Sequence, residues 1–165
     1  MSYIPIENLD MRIAQISIAQ QAFASAGVYE FSVLLTTLAC DDVGVVTVSE
    51  NGRSFTLAPN KDYFIIATMN GRYFPASGNE QICFAFYDNT SGAYVTTQSA
   101  SRTILTHNEF RGHCSSTVEM LSLQTASPLT LSIRALFFSA GYFRTDYAED
   151  SSPASVITIM YKDIY

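Results

Sequence analysis

Short segments of alternating apolar and polar residues, separated by turn residues, recur along most of the chain. The stretch from residue 54 to 71, SFTLAPNKDYFIIATMNG, shows the pattern most clearly. A short alternating strand leads into Pro59-Asn60, where proline fixes φ and asparagine tolerates the left-handed region, so a tight turn is predicted. The aromatic and β-branched run that starts at Tyr63 carries no charge, which predicts a strand that is buried on both sides or lies at the centre of a sandwich. Asn70-Gly71 ends that strand with a second turn.

The same pattern predicts an all-β chain. Further strands are predicted at residues 28–39, 43–49, 81–87, 93–97, 118–123, 129–138 and 154–161. About nine or ten short strands, spaced about 8 to 12 residues apart, are typical of a sandwich or barrel of antiparallel strands. Residues 98–116 and 139–153 are predicted as long polar loops, the first with a short strand near residues 103–106. Because the last strand is long and apolar, we expect it at the centre of its sheet.

The N-terminal segment, residues 1–27, has a different period. Apolar residues recur there at three- and four-residue steps, as in the heptads of a coiled coil. One heptad position holds Ile6, Ile13 and Gln20, and the other holds Leu9, Ile16 and Phe23. Isoleucine at both positions favours a three-stranded coil, in which a single polar residue fixes the register. The segment spans about two and a half heptads, so an amphipathic helix packed on its own domain and an extended arm remain alternatives. We predict an anchor at residues 1–27 and a β head at residues 28–165.

Composition narrows the classes of function. The chain is 48% apolar and 15% charged, which fills a large core and leaves a weakly charged surface suited to burial against other subunits. The net charge is −6 and the basic residues are scattered singly, so nucleic-acid binding is not expected. No apolar run reaches the roughly 18 residues that cross a bilayer, so membrane insertion is not expected either. Acidic residues interrupt the N-terminal apolar positions, which speaks against a signal peptide and predicts folding in a cytoplasm.

Candidate chemistry is sparse. The three cysteines are odd in number and widely spaced, which predicts reduced, buried thiols and no disulfide framework. His107, Glu109, His113 and Cys114 are metal-ligating residue types, but their spacing fits no standard zinc site, so a polar loop is expected. The acidic cluster at residues 146–150 lacks the spacing of a calcium loop. No nucleophile motif or phosphate loop occurs. We therefore predict no enzyme activity, no catalytic residue, no metal and no cofactor.

The order of elements resembles a known family. SFTLAP followed by KDYFIIATMN is similar to its short strand, turn and aromatic central strand, and MLSLQTASPLTLSIRALF is similar to its leucine strand, polar turn and alternating strand. SPASVITIMYKDIY is similar to its closing strand, which ends the chain. The family is the trimeric jelly roll of the complement and tumour-necrosis-factor-like globular heads, in the form found in bacteriophage structural proteins. The resemblance covers residues 28–165. The chain has no collagen-like Gly-X-Y repeat, which sets it apart from the animal complement branch.

The resemblance implies a homotrimer that buries an aromatic-rich face around a threefold axis. The candidates for core or interface positions are Tyr63, Phe84, Phe86, Phe137 and Tyr161. The candidate anchor and trimer residues are Ile6, Leu9, Ile13, Ile16 and Phe23. Tyr142 and Tyr147, in the second long loop, are candidates for a ligand-binding surface because tyrosine combines a large contact area with a polar group.

These features predict a non-enzymatic structural protein of a virion that is assembled in the host cytoplasm. It would be a capsid decoration or head-fibre protein, attached through residues 1–27 to the major capsid protein or another virion protein. A first alternative is the receptor-binding tip of a tail fibre, which contacts a host surface glycan or protein through the long loops. A second alternative is a cellular lectin-like or cytokine-like binding module.

Overall fold

In the computed structural model of the chain, the segments that alternate between apolar and polar residues form β-strands, and successive side chains lie on opposite faces of each sheet. The structure describes residues 11–19, 21–25, 29–32, 34–75, 80–95, 102–105, 113–137, 141–144 and 155–164. No helix in these ranges is long and apolar enough to cross a membrane. The strands within them are β1 (Arg12–Ile18), β2 (Ala22–Ser25), β3 (Tyr29–Ser32), β4 (Leu35–Cys40), β5 (Val46–Val48), β6 (Phe55–Leu57), β7 (Lys61–Pro75), β8 (Glu80–Asp88), β9 (Ala93–Tyr94), β10 (Arg102–Leu105), β11 (His113–Thr125), β12 (Leu129–Phe137), β13 (Gly141–Arg144) and β14 (Val156–Asp163).

The strands form two antiparallel sheets. Sheet A has the order β2-β13-β7-β14-β1-β4, and β11 pairs with the other edge of β7. Sheet B has the order β10-β8-β12-β6-β5, with β3 beside β12 and β9 beside β8. This arrangement confirms the predicted all-β jelly-roll sandwich, and β14 lies inside sheet A between β7 and β1, as predicted. The described strands outnumber the predicted ones because β1, β2 and β13 lie where no strand was predicted and because residues 28–39 are divided into β3 and β4.

The core lies between the inward faces of the two sheets. In sheet A the register sets Ile16 beside Ile157 and Ala14 beside Ile159, and all four side chains are buried. The largest fully buried side chains are Tyr63, Tyr161, Phe55, Phe84, Phe86, Ile16, Leu57, Ile65 and Met69. The five largest of these side chains are aromatic, and sheet B adds an edge-on pair in which the Phe55 and Phe86 ring centres are 6.4 Å apart.

The helix or coiled coil predicted at residues 1–27 is wrong for the part that the structure describes. β1 is a strand that pairs with β14 on one side and β4 on the other. In a heptad Ile13 and Ile16 would share a face, but in β1 Ile16 is fully buried and Ile13 is 45% exposed. The same residues fit a period of two, and the neighbouring strands offer β1 backbone hydrogen bonds along its length. Pairing with these strands outweighs the helical pattern.

Two further expectations need correction. Because β1 and β2 belong to sheet A, the boundary predicted at residue 28 falls inside the sandwich, and these two strands are part of the head. The polar loops predicted at residues 98–116 and 139–153 each contain more strand than expected, since β11 begins at His113 and β13 spans Gly141–Arg144. Both strands pair with β7, which is long enough to take β14 and β13 in succession along one edge.

The turn between β5 and β6 fixes the start of β4. Gly52 has a φ of +65°, and its carbonyl oxygen accepts a hydrogen bond from the Leu35 backbone N–H at 2.7 Å. A Cβ atom at Gly52 would lie 2.7 Å from the Leu35 carbonyl oxygen. Gly44, in the turn before β5, has a φ of +82° but no atom within 4 Å of such a Cβ. The two glycines thus share a backbone requirement and differ in the space around them.

We expect Gly52→Ala to lower the free energy of unfolding more than Gly44→Ala. Both substitutions place a side chain in the left-handed region, at about 1 kcal/mol each. Only Gly52→Ala also forces the turn away from the buried Leu35 at the start of β4, which adds about 1–3 kcal/mol. Urea unfolding of the two variants measures the difference. Equal losses would show that the turn does not press on β4.

Candidate assembly face and the charged cluster beside it

The outward face of sheet A is apolar at one end. The register sets Ile13 beside Met160 and Met160 beside Phe64, and all three alternate with core residues. Ile13 is 45% exposed and Met11 is 38% exposed, while Phe64, Ile66 and Met160 are partly exposed. We call Met11, Ile13, Phe64, Ile66 and Met160 the apolar face of sheet A.

Polar groups border this face. On one side the Lys162 ammonium lies 3.7 Å from the Asp62 carboxylate. On the other side Gln15 and Ser17 of β1 are exposed, and Gln15 lies beside Thr158. An apolar centre with a polar border is the usual composition of a protein–protein interface.

The outward face of sheet B is different. The hydroxyl groups of Thr56 and Thr130 form a hydrogen bond of 2.9 Å. The Ser132 hydroxyl donates to the Asn89 side-chain oxygen at 3.1 Å. Ala85 and Leu136 are buried on this side, with Tyr94 packed against them. The hydroxyl groups of Thr56, Thr130 and Ser132 are thus paired within the chain, and Ala85 and Leu136 are already covered. Sheet A has the larger unpartnered apolar surface among the described residues.

Four charged side chains form ion pairs at the edge of the core, near the end of β14. Arg12 lies 2.6 Å from the Asp42 carboxylate through Nη1 and 2.5 Å from the Asp163 carboxylate through Nη2. The Lys61 ammonium binds the second oxygen of Asp163 and is only 14% exposed. Both cations also lie over the ring of Tyr161, with Arg12 at 5.5 Å and Lys61 at 5.9 Å from its centre. We call Arg12, Asp42, Lys61 and Asp163 the charged cluster.

Tyr161 joins this cluster to the turn after β4. Its hydroxyl accepts a hydrogen bond from the Asp42 backbone N–H at 3.1 Å and donates to the Asp42 carboxylate at 3.2 Å. The Cys40 thiol donates to the Asp42 carbonyl oxygen at 3.1 Å and lies 3.6 Å from the same hydroxyl. One buried side chain of β14 therefore holds the backbone that leaves β4.

The environment shifts the pKa values of Tyr63, Tyr161 and Asp163. Burial raises the pKa of Tyr63 to about 12, although its hydroxyl donates to the Ala58 carbonyl oxygen. Burial also raises the pKa of Tyr161 well above its ordinary value, and contact with the Cys40 thiol adds to that increase. The hydrogen bonds from Lys61 first and Arg12 second hold the pKa of Asp163 below its usual range. Each shift favours the protonation state that exists near neutral pH.

No protein-family model matches the sequence, and no curated protein matches it. Solved structures do match the fold. The structure of Eiger TNF from S. frugiperda is 10% identical, covers 94% of this chain and 95% of its own, and has a TM-score of 0.55. The chain has a tumour-necrosis-factor-like jelly-roll fold. Murine APRIL, at 8% identity and a TM-score of 0.45, covers 92% of this chain and 98% of its own.

In this jelly roll four of the five predicted aromatic positions lie in the core of a single chain. Tyr63, Phe84, Phe86 and Tyr161 are each no more than 1% exposed, so they have no surface left for a subunit interface. Phe137 is the last residue of β12. Of the predicted anchor residues, Ile16 is in the core, Ile13 is on the apolar face of sheet A and Phe23 is in β2.

The remaining candidates are only partly placed. Tyr142 lies in β13, beside the end of β7, while Tyr147, Ile6 and Leu9 lie outside the described residues. His113 and Cys114 begin β11 and His107 is outside the described residues. Among the residues that the structure describes, no group of three His, Cys, Asp or Glu side chains is placed to hold a metal ion.

Sequence reasoning missed the charged cluster. Arg12 and Asp163 are 151 residues apart, and Lys61 and Asp163 are 102 residues apart, so no local motif joins them. Each of its ionised groups has an opposite charge at contact distance, which makes the cluster structural. The apolar face of sheet A, by contrast, is suited to binding by burial of apolar surface.

We expect Tyr161→Phe to destabilise the protein more than Tyr63→Phe. Loss of the Tyr161 hydroxyl removes the acceptor of the Asp42 N–H and a donor to its carboxylate, at about 1–3 kcal/mol. Loss of the Tyr63 hydroxyl leaves the Ala58 carbonyl oxygen with its second donor, the Thr125 hydroxyl at 2.8 Å, so the cost is about 1 kcal/mol or less. Thermal and urea unfolding measure both, and an equal or larger loss for Tyr63→Phe would contradict the role given to Tyr161.

We expect Asp163→Asn to weaken the acid sensitivity of folding. The pKa of Asp163 is lower in the folded chain than the ordinary value of about 3.9, so the unfolded chain binds a proton first as the pH falls. The stabilisation is complete above about pH 5 and is lost as the pH falls through the folded-state pKa. The free energy of unfolding of Asp163→Asn should therefore fall less between neutral and acid pH than that of the unchanged chain. Near neutral pH the variant should be less stable than the unchanged chain.

Urea unfolding at several pH values between about 2 and 7 measures the decline. Glu50→Gln, at an exposed position after β5, is the control because it removes the same charge outside the cluster. A Glu50→Gln curve that changes as much as the Asp163→Asn curve would assign the effect to net charge and not to the cluster.

Proposed function

We propose that the protein is a non-enzymatic homotrimeric module that assembles through the apolar face of sheet A and serves as a structural component of a virion, as a capsid decoration or head-fibre protein. The observation that supports assembly is the row Ile13, Met160 and Phe64, an apolar outward surface on the three central strands of sheet A. The side chains of this row have the composition of an interface centre. Within the described part of the chain, Ile13 and Met11 are left exposed to solvent.

Composition supports the same proposal. Only 15% of the residues are charged and 48% are apolar, so a second and third copy of the chain can bury surface with little loss of charge hydration. The charged groups nearest to the face are already paired with each other, Lys162 with Asp62 and Arg12 with Asp163. Apolar burial at about 25 cal/mol per Å² is then the main contribution to assembly.

The virion role rests on the sequence features of residues 28–165 that resemble phage structural proteins. The attachment predicted for residues 1–27 is assigned in this proposal to the residues before β1, MSYIPIENLDM, because β1 is part of sheet A. The fold shared with Eiger TNF favours a second candidate, a trimeric cytokine-like binding module. Both candidates share the trimer and differ in what the trimer binds.

The test of assembly is the mass of the full chain in solution by light scattering. We expect a trimer for the unchanged chain and a monomer for Ile13→Glu at the same concentration, because a buried unpaired carboxylate opposes association. The substitution should leave the monomer folded, since Ile13 is 45% exposed within one chain. Val43→Glu is the matched control, because Val43 is fully exposed at 103% in the turn after β4.

A monomeric unchanged chain would contradict the proposal, and so would a trimer that tolerates Ile13→Glu. Once the trimer is established, binding separates the roles. A decoration protein binds empty capsid shells and loses that binding when residues 1–10 are removed. A receptor-binding tip binds host cells, and Tyr142→Ala reduces that binding. Failure of both assays favours the cytokine-like module.

A further inference from the structure

The turn between β5 and β6 contains Asn51-Gly52, and we propose that Asn51 is a site of spontaneous deamidation through a cyclic imide. Glycine has no Cβ to obstruct its backbone nitrogen, so an Asn-Gly pair is the dipeptide in which ring closure meets the least steric resistance. Asn51 is exposed, which gives water access to the products. This chemistry is independent of the proposed trimer and of any ligand.

The reaction is balanced with water as the only co-reactant. The Gly52 nitrogen loses its proton and forms a bond to Cγ of Asn51. The bond between Cγ and Nδ2 then breaks, and the amide nitrogen leaves as ammonia after taking up protons. Water adds to one of the two imide carbonyl groups and opens the ring. The product is aspartate when one carbonyl is attacked and isoaspartate when the other is.

The local hydrogen bonds favour the first step. The Asn51 side-chain oxygen accepts from the Arg53 backbone N–H at 2.9 Å and from the Ser49 hydroxyl at 2.8 Å. A backbone N–H can only donate, so the contact with Arg53 fixes which side-chain atom is the oxygen. Negative charge develops on this oxygen when the Gly52 nitrogen attacks Cγ, and two donors aimed at it stabilise that charge.

Two contacts work against the reaction. The Gly52 N–H donates to the Ser49 carbonyl oxygen at 2.8 Å, and this bond must open before the nitrogen attacks. The Ser49 hydroxyl has one hydrogen, and the Ser54 carbonyl oxygen lies 3.0 Å away as a competing acceptor. The turn lies at the surface with Asn51 and Arg53 exposed, so it opens more readily than backbone inside a sheet.

The chain provides its own control in Asn70-Gly71. Asn70 is 7% exposed and lies inside β7, which is paired on both edges. Its backbone N–H donates to the Ser155 hydroxyl at 2.8 Å, and that hydroxyl donates to its carbonyl oxygen at 3.0 Å. The sheet holds this second Asn-Gly pair extended, so ring closure there requires the strand to open.

Modification at Asn51 would disturb the fold locally. Isoaspartate adds a carbon atom to the backbone of a turn whose next residue, Gly52, accepts the hydrogen bond of the buried Leu35. A Cβ at Gly52 already has no room beside the Leu35 carbonyl oxygen, so the turn has little freedom to accommodate the longer backbone. We expect the isoaspartate form to be less stable than the unmodified chain.

The experiment is incubation of the folded full chain at mildly alkaline pH, followed by peptide mass mapping of both Asn-Gly sites. We expect deamidation at Asn51 at least about tenfold faster than at Asn70, a difference of about 1.4 kcal/mol in barrier. Ser49→Ala removes one of the two donors to the Asn51 oxygen. It should slow the reaction at Asn51 by about threefold or more, which is less than the loss of such a donor in a closed active site.

Equal rates at the two sites, or a faster rate at Asn70, would overturn the assignment. Faster deamidation in Ser49→Ala would also overturn it, because it would show that Ser49 restrains the turn and does not assist the attack. The unfolding midpoint of Ser49→Ala is measured first. If that variant is not folded, the ratio of the two rates in the unchanged chain decides the matter alone.

Discussion

The register of β14 between β7 and β1 determines both faces of the molecule. With Ile159 beside Ile65 and Ala14, every second residue of these strands enters the core. A slip of β14 by one residue would turn Ile157, Ile159 and Tyr161 outward and bring Met160 inward, because side chains alternate with a period of two. The same register brings Asp163 beside Lys61 and Tyr161 beside Arg12. The core, the apolar face of sheet A and the charged cluster therefore all depend on the same register of β14.

The charged cluster reinforces that register from the end of the sheet. Ion pairs at a protein surface usually contribute little, but Lys61 is only 14% exposed and Asp163 binds it and Arg12 at once. A shifted β14 would leave Lys61 without its carboxylate, which is costly for a mostly buried cation. Tyr161 extends the same constraint to the turn after β4. The cluster thus favours one register over its neighbours in addition to adding stability.

The spacing of the alternating segments was sufficient to predict the sandwich, and the length and apolar character of the last strand were sufficient to predict the central position of β14. Alternation did not decide whether the aromatic candidates lie in the core or at an interface. It was insufficient at β1, where Ile13 and Ile16 fit a heptad and a strand equally well and only pairing with β14 decides. The charged cluster could not be predicted from the sequence for a related reason. Its members come from β1, the turn after β4, β7 and β14, and charge alone does not identify which of the 24 charged residues meet.

The arrangement of charge also bears on assembly. The cluster contains two cations and two carboxylates that neutralise one another beside the apolar face of sheet A. The chain as a whole carries a charge of −6, so three copies would repel each other if that charge lay on the contacting surface. Along the described part of sheet A the outward row from Ile13 to Phe64 carries none of it. The strands that build the core thus also present the surface on which like-charged copies can meet with the least repulsion, and that links the stability of the fold to its capacity to assemble.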